Sequence, residues 1–135
     1  METLNRDEYY SKSLDIFSII LNMCSNSSVS TDKSRQSGKE LYKRAAKRLY
    51  SAYNNEEYDN ILYSNSNTAF ASEVLRICTR ARWNALKLLA VMEGPKYYEP
   101  IKSYDHQIYS IFTELNKKWH DAMIQEFRAK YGKEE

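Results

Sequence analysis

The chain has 135 residues, of which 42% are hydrophobic and 28% charged, with only three glycines and two prolines. That length suits one domain large enough to fold without a disulfide or metal staple. The composition excludes a disordered chain, and the scarcity of turn residues excludes an all-β fold. A formal net charge of +2 excludes a strong overall field, so a polyanion would have to be held by a local basic patch.

The periodicity predicts an all-α fold: a single compact bundle of about five helices spanning residues 1–135. The first helix is expected from about Asn5 to Met23. Leu14, Phe17, Leu21 and Cys24 recur at spacings of three and four, widened by Ile16, Ile19, Ile20 and Met23. The polar stretch Ser25 to Asp32 then ends in good N-cap residues. A second helix, from about Lys33 to Tyr53, carries a narrow stripe of Leu41, Ala45, Leu49 and Ala52 and stops at Asn54-Asn55. A short third helix, Glu56 to Tyr63, would place Tyr58, Ile61 and Leu62. After the loop Ser64 to Asn67, Thr68 is the expected cap of the fourth helix.

That fourth helix, from about Ala69 to Glu93, has the clearest pattern. Phe70, Val74, Ile77, Cys78, Ala81, Ala85, Leu88, Leu89 and Met92 share one face. Gly94-Pro95 closes it, a glycine able to take the left-handed C′ conformation followed by a residue that cannot extend a helix. The fifth helix is expected to open with Pro100 at its first position. Its apolar stripe runs from Ile101 and Tyr104 through Ile108, Ile111, Phe112, Leu115, Trp119 and Met123 to Phe127, and Gly132 ends it. Connections of a few residues imply antiparallel neighbours.

Met1 to Tyr10 is polar and acidic, unlike a signal peptide. The longest apolar run, Ile16 to Cys24, is interrupted by Ser18 and Asn22 and is too short to cross a bilayer. A soluble, cytoplasmic protein with no membrane partner is expected. Cys24 and Cys78 form no C-x-x-C pair and read as small buried hydrophobes in a reducing compartment. The Asn26-Ser27-Ser28 sequon would matter only in a secreted protein.

No catalytic constellation is visible. Three isolated glycines make neither a P-loop nor a dinucleotide-binding turn, which need clustered glycines for close approach to phosphate. His106 and His120 lie fourteen residues apart on one expected helix. That is roughly 21 Å of helix, too far for a shared metal. His120 and Asp121 are sequence neighbours and so do not face each other on a helix. A non-enzymatic chain with no cofactor and no metal is expected.

Basic residues concentrate on two helices. Between Lys33 and Arg48 there are seven: Lys33, Arg35, Lys39, Lys43, Arg44, Lys47 and Arg48, with Glu40 the only acid among them. They lie opposite the Leu41/Ala45/Leu49 stripe. This is either a lysine-rich solvated face or a surface that tracks phosphates by counterion release. On the fourth helix Arg76, Arg80, Trp83 and Lys87 follow spacings of four, three and four along one edge, with Arg82 nearby and Glu73 preceding them. Arginines grip phosphate bidentately and an aromatic among them offers a stacking surface. The alternatives are that Trp83 packs at the core boundary with the arginines in salt bridges, or that the stripe docks on an acidic protein. Twelve tyrosines suit either protein interfaces or the core boundary of a thin bundle.

The last helix reads Trp119-His120-Asp121-Ala122-Met123-Ile124-Gln125-Glu126-Phe127, then Tyr131-Gly132-Lys133-Glu134-Glu135. This resembles the closing helix of the small helical subunit of type III CRISPR effector complexes, the Csm type. There an acidic-Ala-aliphatic-aliphatic step precedes aromatics and a charged, glycine-containing tail. Leu75-Arg76 and Arg80-Ala81-Arg82 stand in the place of that family's central basic helix, although its Ala-Gly-Arg step is here Ala81-Arg82 without the glycine. The resemblance spans the C-terminal half. It implies a non-catalytic subunit stacked in several copies along an RNA-guided effector filament. Such a subunit contacts the backbone and large subunits and the guide–target RNA backbone without reading sequence, a role in antiviral defence. Arg76, Arg80, Lys87 and Arg82, with Arg44, Lys47 and Arg48, are the expected RNA-contacting residues. The alternative is a small helical protein–protein adaptor or inhibitor of phage or plasmid type, anchored through its tyrosines and Trp83, with no nucleic-acid role.

Overall fold

The computed structural model describes residues 4–55 and 66–132. They form four α-helices, α1 (Arg6–Asn26), α2 (Asp32–Tyr53), α3 (Ser66–Glu93) and α4 (Tyr98–Tyr131), with one 3-10 turn, Gly94–Lys96, before α4. The all-α expectation holds. Four rather than about five α-helices appear among the described residues, and the short helix expected over Glu56 to Tyr63 lies outside them. No helix among the described residues is long and apolar enough to cross a membrane.

Local chemistry sets the helix ends. Asn5 caps α1, its side chain accepting from the amides of Asp7 and Glu8, two acids that also suit the positive end of the helix dipole. Thr31 and Ser34 make a reciprocal capping box at the start of α2. The Ser34 hydroxyl also donates to the Cys24 carbonyl at 2.8 Å, which ties the α1–α2 connection to the end of α1. Gly94 takes φ +74°, the left-handed conformation expected after α3. Two expectations fail at the ends. Thr68 is not a cap but lies buried inside α3, which begins at Ser66. Pro100 is the third residue of α4 rather than the first. The first turn accommodates it, because amides there have no intrahelical acceptor to lose.

The helices run up, down, up and down. Tyr9 of α1 meets Leu115 of α4, and Glu8 meets Lys118, while Tyr104 near the start of α4 meets Asn26 at the end of α1. α1 and α3 pack side by side in parallel, Ser13 beside Cys78. Each of these two touches every other helix, whereas among the described residues α2 and α4 do not touch each other. α1 and α3 are therefore the short diagonal of the bundle, with α2 and α4 on opposite flanks.

The core between them holds Ile16, Phe17, Ile20, Met23, Leu49, Phe70, Val74, Leu89, Ile101, Ile108 and Leu115, all essentially inaccessible. Burying each such side chain contributes about 1.5–3 kcal/mol. α1 and α2 approach closely at Gly38, where an added Cβ would sit 2.7 Å from the Cys24 Cβ. Cys24 and Cys78 are free and buried, and burial pushes both thiols up to about 11. The buried Tyr9 hydroxyl donates to the Leu115 carbonyl at 2.6 Å, and burial, then the Glu8 charge, raises its pKa above the usual tyrosine value. Six of the ten described tyrosines sit at the core boundary: Tyr10, Tyr42, Tyr53, Tyr97, Tyr98 and Tyr104 pack half-buried against the cluster.

The apolar stripe of α4 does not stay buried to its end. Leu115 is its last buried residue and Trp119 is half-buried, but Met123 and Phe127 are 38% and 64% exposed, and Ile124 and Tyr131 beside them are exposed too. The cause is length. At 1.5 Å per residue, a helix of 34 residues runs roughly 50 Å, while the 21-residue α1 against which it packs covers roughly 30 Å.

Candidate nucleic-acid interface

All seven basic residues of α2, from Lys33 to Arg48, are exposed, as the α2 periodicity requires once Ala45, Leu49 and Ala52 are turned inward. α2 lies antiparallel to α3, and the two leave a groove between them. Its floor is apolar: Leu41 and Ala45 from α2, Ile77 and Ala81 from α3. Its rim is cationic. Arg44 and Arg48 come from α2, and Arg80 and Asn84 from α3. Small residues make this possible, since Ala45 and Ala81 let the helices approach and leave the arginine stems to cover the seam. The cationic surface continues along α2 through Lys47 towards Ser51 and Asn55, with Glu73 at its edge, and outward to Lys43, with Glu40 beside it.

Charge within the groove is not cancelled internally. Among the described residues, no carboxylate comes within ion-pair distance of Arg44, Lys47, Arg48, Arg80 or Lys87. Glu73 is instead engaged by Arg76, whose guanidinium donates to it at 2.9 Å across one helical turn while remaining 64% exposed. Exposed pairs of this kind contribute little, so Arg76 can exchange Glu73 for another anion at small cost. Lys87 is exposed on the same edge of α3, two turns beyond Arg80.

Arg82 stands apart from the other expected residues in its surroundings. It points away from the groove towards α4, where its Nε and one terminal nitrogen donate to the two oxygens of Asp105 at 2.7 and 2.9 Å. Asp105 is 2% exposed, and the Tyr98 hydroxyl approaches its second oxygen at 3.4 Å. The bond to Asp105 raises the Arg82 pKa, against the opposing effect of burial. This fork-on-carboxylate geometry commits Arg82 to joining α3 and α4. Sequence spacing put Arg82 near Arg80, but two residues along a helix is about 200° around it.

Trp83, whose sequence position fitted both a stacking surface and a core-boundary site, is 59% exposed. The Arg82 guanidinium carbon lies 5.5 Å from the centre of its ring and 5.8 Å from that of Tyr109 on α4, itself 57% exposed. Tyr109 was not singled out by sequence reasoning. Its signal would have been its place one helical turn after Asp105, and only the pairing of α3 with α4 gives that meaning. Among the described residues, no group of three or more His, Cys, Asp or Glu side chains is placed to hold a metal ion.

The described chain is thus an up-and-down helical bundle with a cationic groove on its α2–α3 flank. No family model, curated protein or solved structure matches it.

Proposed function

We propose that the chain is a non-catalytic nucleic-acid-binding subunit that holds a phosphate backbone, independently of sequence, on its α2–α3 flank. The observation that carries this reading is the convergence of Arg44, Arg48 and Arg80 from two helices onto one groove, with no described carboxylate neutralising them. Arginines fixed on rigid helices bind phosphates by charge and fork geometry without reading base edges. Arg76 and Lys87 extend the track along α3, and Lys47 along α2. The specific role we propose is that of the small subunit of a type III CRISPR-like, RNA-guided effector, which the C-terminal helix resembles. In that role the groove lies on the guide or target RNA backbone, held by charge without reading base edges. The exposed Met123, Ile124, Phe127 and Tyr131 of α4 offer apolar area for a neighbouring subunit or a second copy.

The test is binding of fluorescent RNA duplex and single strand to the full chain across a salt series. The expected result is a linear fall of log affinity with log salt, alike for unrelated sequences. The triple variant Arg44→Ala, Arg48→Ala, Arg80→Ala should flatten the slope by roughly one for each phosphate no longer held. Failure to bind RNA even at low salt, or a slope unchanged in the triple variant, overturns the reading. Tight retention of a single protein partner without RNA would instead favour an adaptor.

A further inference from the structure

The cationic groove accounts for Arg44, Arg48 and Arg80 but leaves one conspicuous surface unused. Trp83 and Tyr109 each expose more than half of their area, although aromatic rings contribute most when covered. They belong to different helices, yet both lie within 6 Å of the Arg82 guanidinium, which Asp105 holds from beneath. Arg82 therefore fixes two exposed rings on one small patch, bridging the seam between α3 and α4. The patch adjoins the cationic edge of α3. Arg80 is three residues before Trp83 and Lys87 four after it, and residues at those spacings on a helix are neighbours about 5–6 Å apart at Cβ.

Resting on the reading proposed above, we infer that Trp83 and Tyr109 form a base-stacking platform, so that the chain takes single-stranded nucleic acid, or an unpaired nucleotide beside a duplex, in preference to a continuous duplex. A phosphate held at Arg80 or Lys87 leaves its base within reach of the Trp83 ring. Bases inside a duplex are already stacked on their neighbours and cannot use the platform, whereas an unpaired base gains a π-face. Stacking is tolerant of sequence because every base has such a face, which matches a groove that grips by charge. Arg82 acts as a positioning residue. It does not contact phosphate, and its guanidinium holds the two rings in place.

Intrinsic fluorescence supplies the test, because Trp119 is the only other tryptophan and is half-buried. In a Trp119→Phe background, Trp83 is the sole reporter. Titration with a twelve-nucleotide oligouridine should quench it saturably, and a blunt RNA duplex of the same length should quench it little. Trp83→Ala should weaken single-strand binding roughly tenfold while leaving duplex binding within about twofold, and Trp83→Phe should recover much of the loss. Tyr109→Ala should act in the same direction, and Tyr109→Phe, which keeps the ring, should not. Both side chains are exposed, so the variants should keep their helicity, which circular dichroism checks. Equal loss on strand and duplex, or no loss on either, overturns the platform. If the groove variants still abolish binding in that case, the phosphate-tracking reading stands without it. Absence of any binding by the unaltered chain overturns both.

Discussion

Arg80 and Arg82 sit two residues apart on α3 and meet opposite surroundings. Arg80 turns to the α2 flank, where Arg44 and Arg48 face it across an apolar floor and no described carboxylate pairs with any of them. Arg82 turns to the α4 flank, where a buried aspartate takes both ends of its fork. On one side the positive charges are left to solvent and to whatever anion arrives. On the other, the charge is committed to joining two helices, and two aromatic rings lie over the joint. The same residue type is thus left open to an incoming anion on one flank and committed to a neighbouring helix on the other, and the difference lies in where the nearest carboxylate falls.

The sharpest way to break this contrast is to remove the carboxylate. Asp105→Asn should destabilise the fold by about 3 kcal/mol, because it strips the partner from an arginine whose side chain is only 24% exposed. Urea denaturation should show a lower midpoint at unchanged slope. A midpoint like that of the unaltered chain would mean that Arg82 is not architectural, and the two arginines would be alike after all.

The core shared by both flanks should respond to alkali. Burial raises the Cys24 and Cys78 thiols to about 11, above their ordinary value near 9. The folded state thus favours the protonated thiols. Their contribution is complete below pH 9 and is lost as pH rises to about 11, on the order of 2 kcal/mol per thiol. Urea midpoints should fall across that window equally in the unaltered chain and in Arg80→Ala, and less steeply in Cys78→Ala. A Cys78→Ala profile that falls as steeply as the parent's would remove the thiol from the account.

Gly38→Ala tests how firmly the groove's α2 wall is seated. Alanine is the better helix former by up to about 1 kcal/mol, but its Cβ would collide with the rigid Cys24 Cβ. Overpacking of this kind costs about 1–3 kcal/mol, so a net loss of about 1 kcal/mol is expected, with weaker RNA binding as α2 shifts from α3. A gain in stability would show that α2 moves freely. The smallest stability effect should belong to Arg80→Ala, within about 0.5 kcal/mol of the parent, as befits an exposed side chain. Its affinity for RNA should nevertheless fall several-fold, and Arg76→Ala should change affinity less. Anisotropy titration at fixed salt measures both.

The helices and most of their ends were legible in the residues because they rest on neighbours along the chain. A period of 3.6 in the apolar residues, the polar N-cap stretch before α2 and the Gly94-Pro95 stop all act within a turn or two. The exposed basic face of α2 followed from the same periodicity. The C-terminal stripe misled for the opposite reason. Met123 and Phe127 keep the spacing of a buried face, but periodicity says which residues share a side and not whether another helix reaches that far.

From the chain alone, then, came the class of fold, the α1–α2 connection, the Gly94-Pro95 stop and the basic side of α2. Only tertiary structure decided that Arg80 joins Arg44 and Arg48, that Arg82 belongs to Asp105, and that Trp83 shares a patch with Tyr109. A polar residue reads as surface until its partner is known, and Asp105 stands 23 positions from Arg82, a separation over which no local rule operates. The pairing exists because α3 and α4 turn back on each other at Gly94, and that packing sets which charges are cancelled and which remain outside.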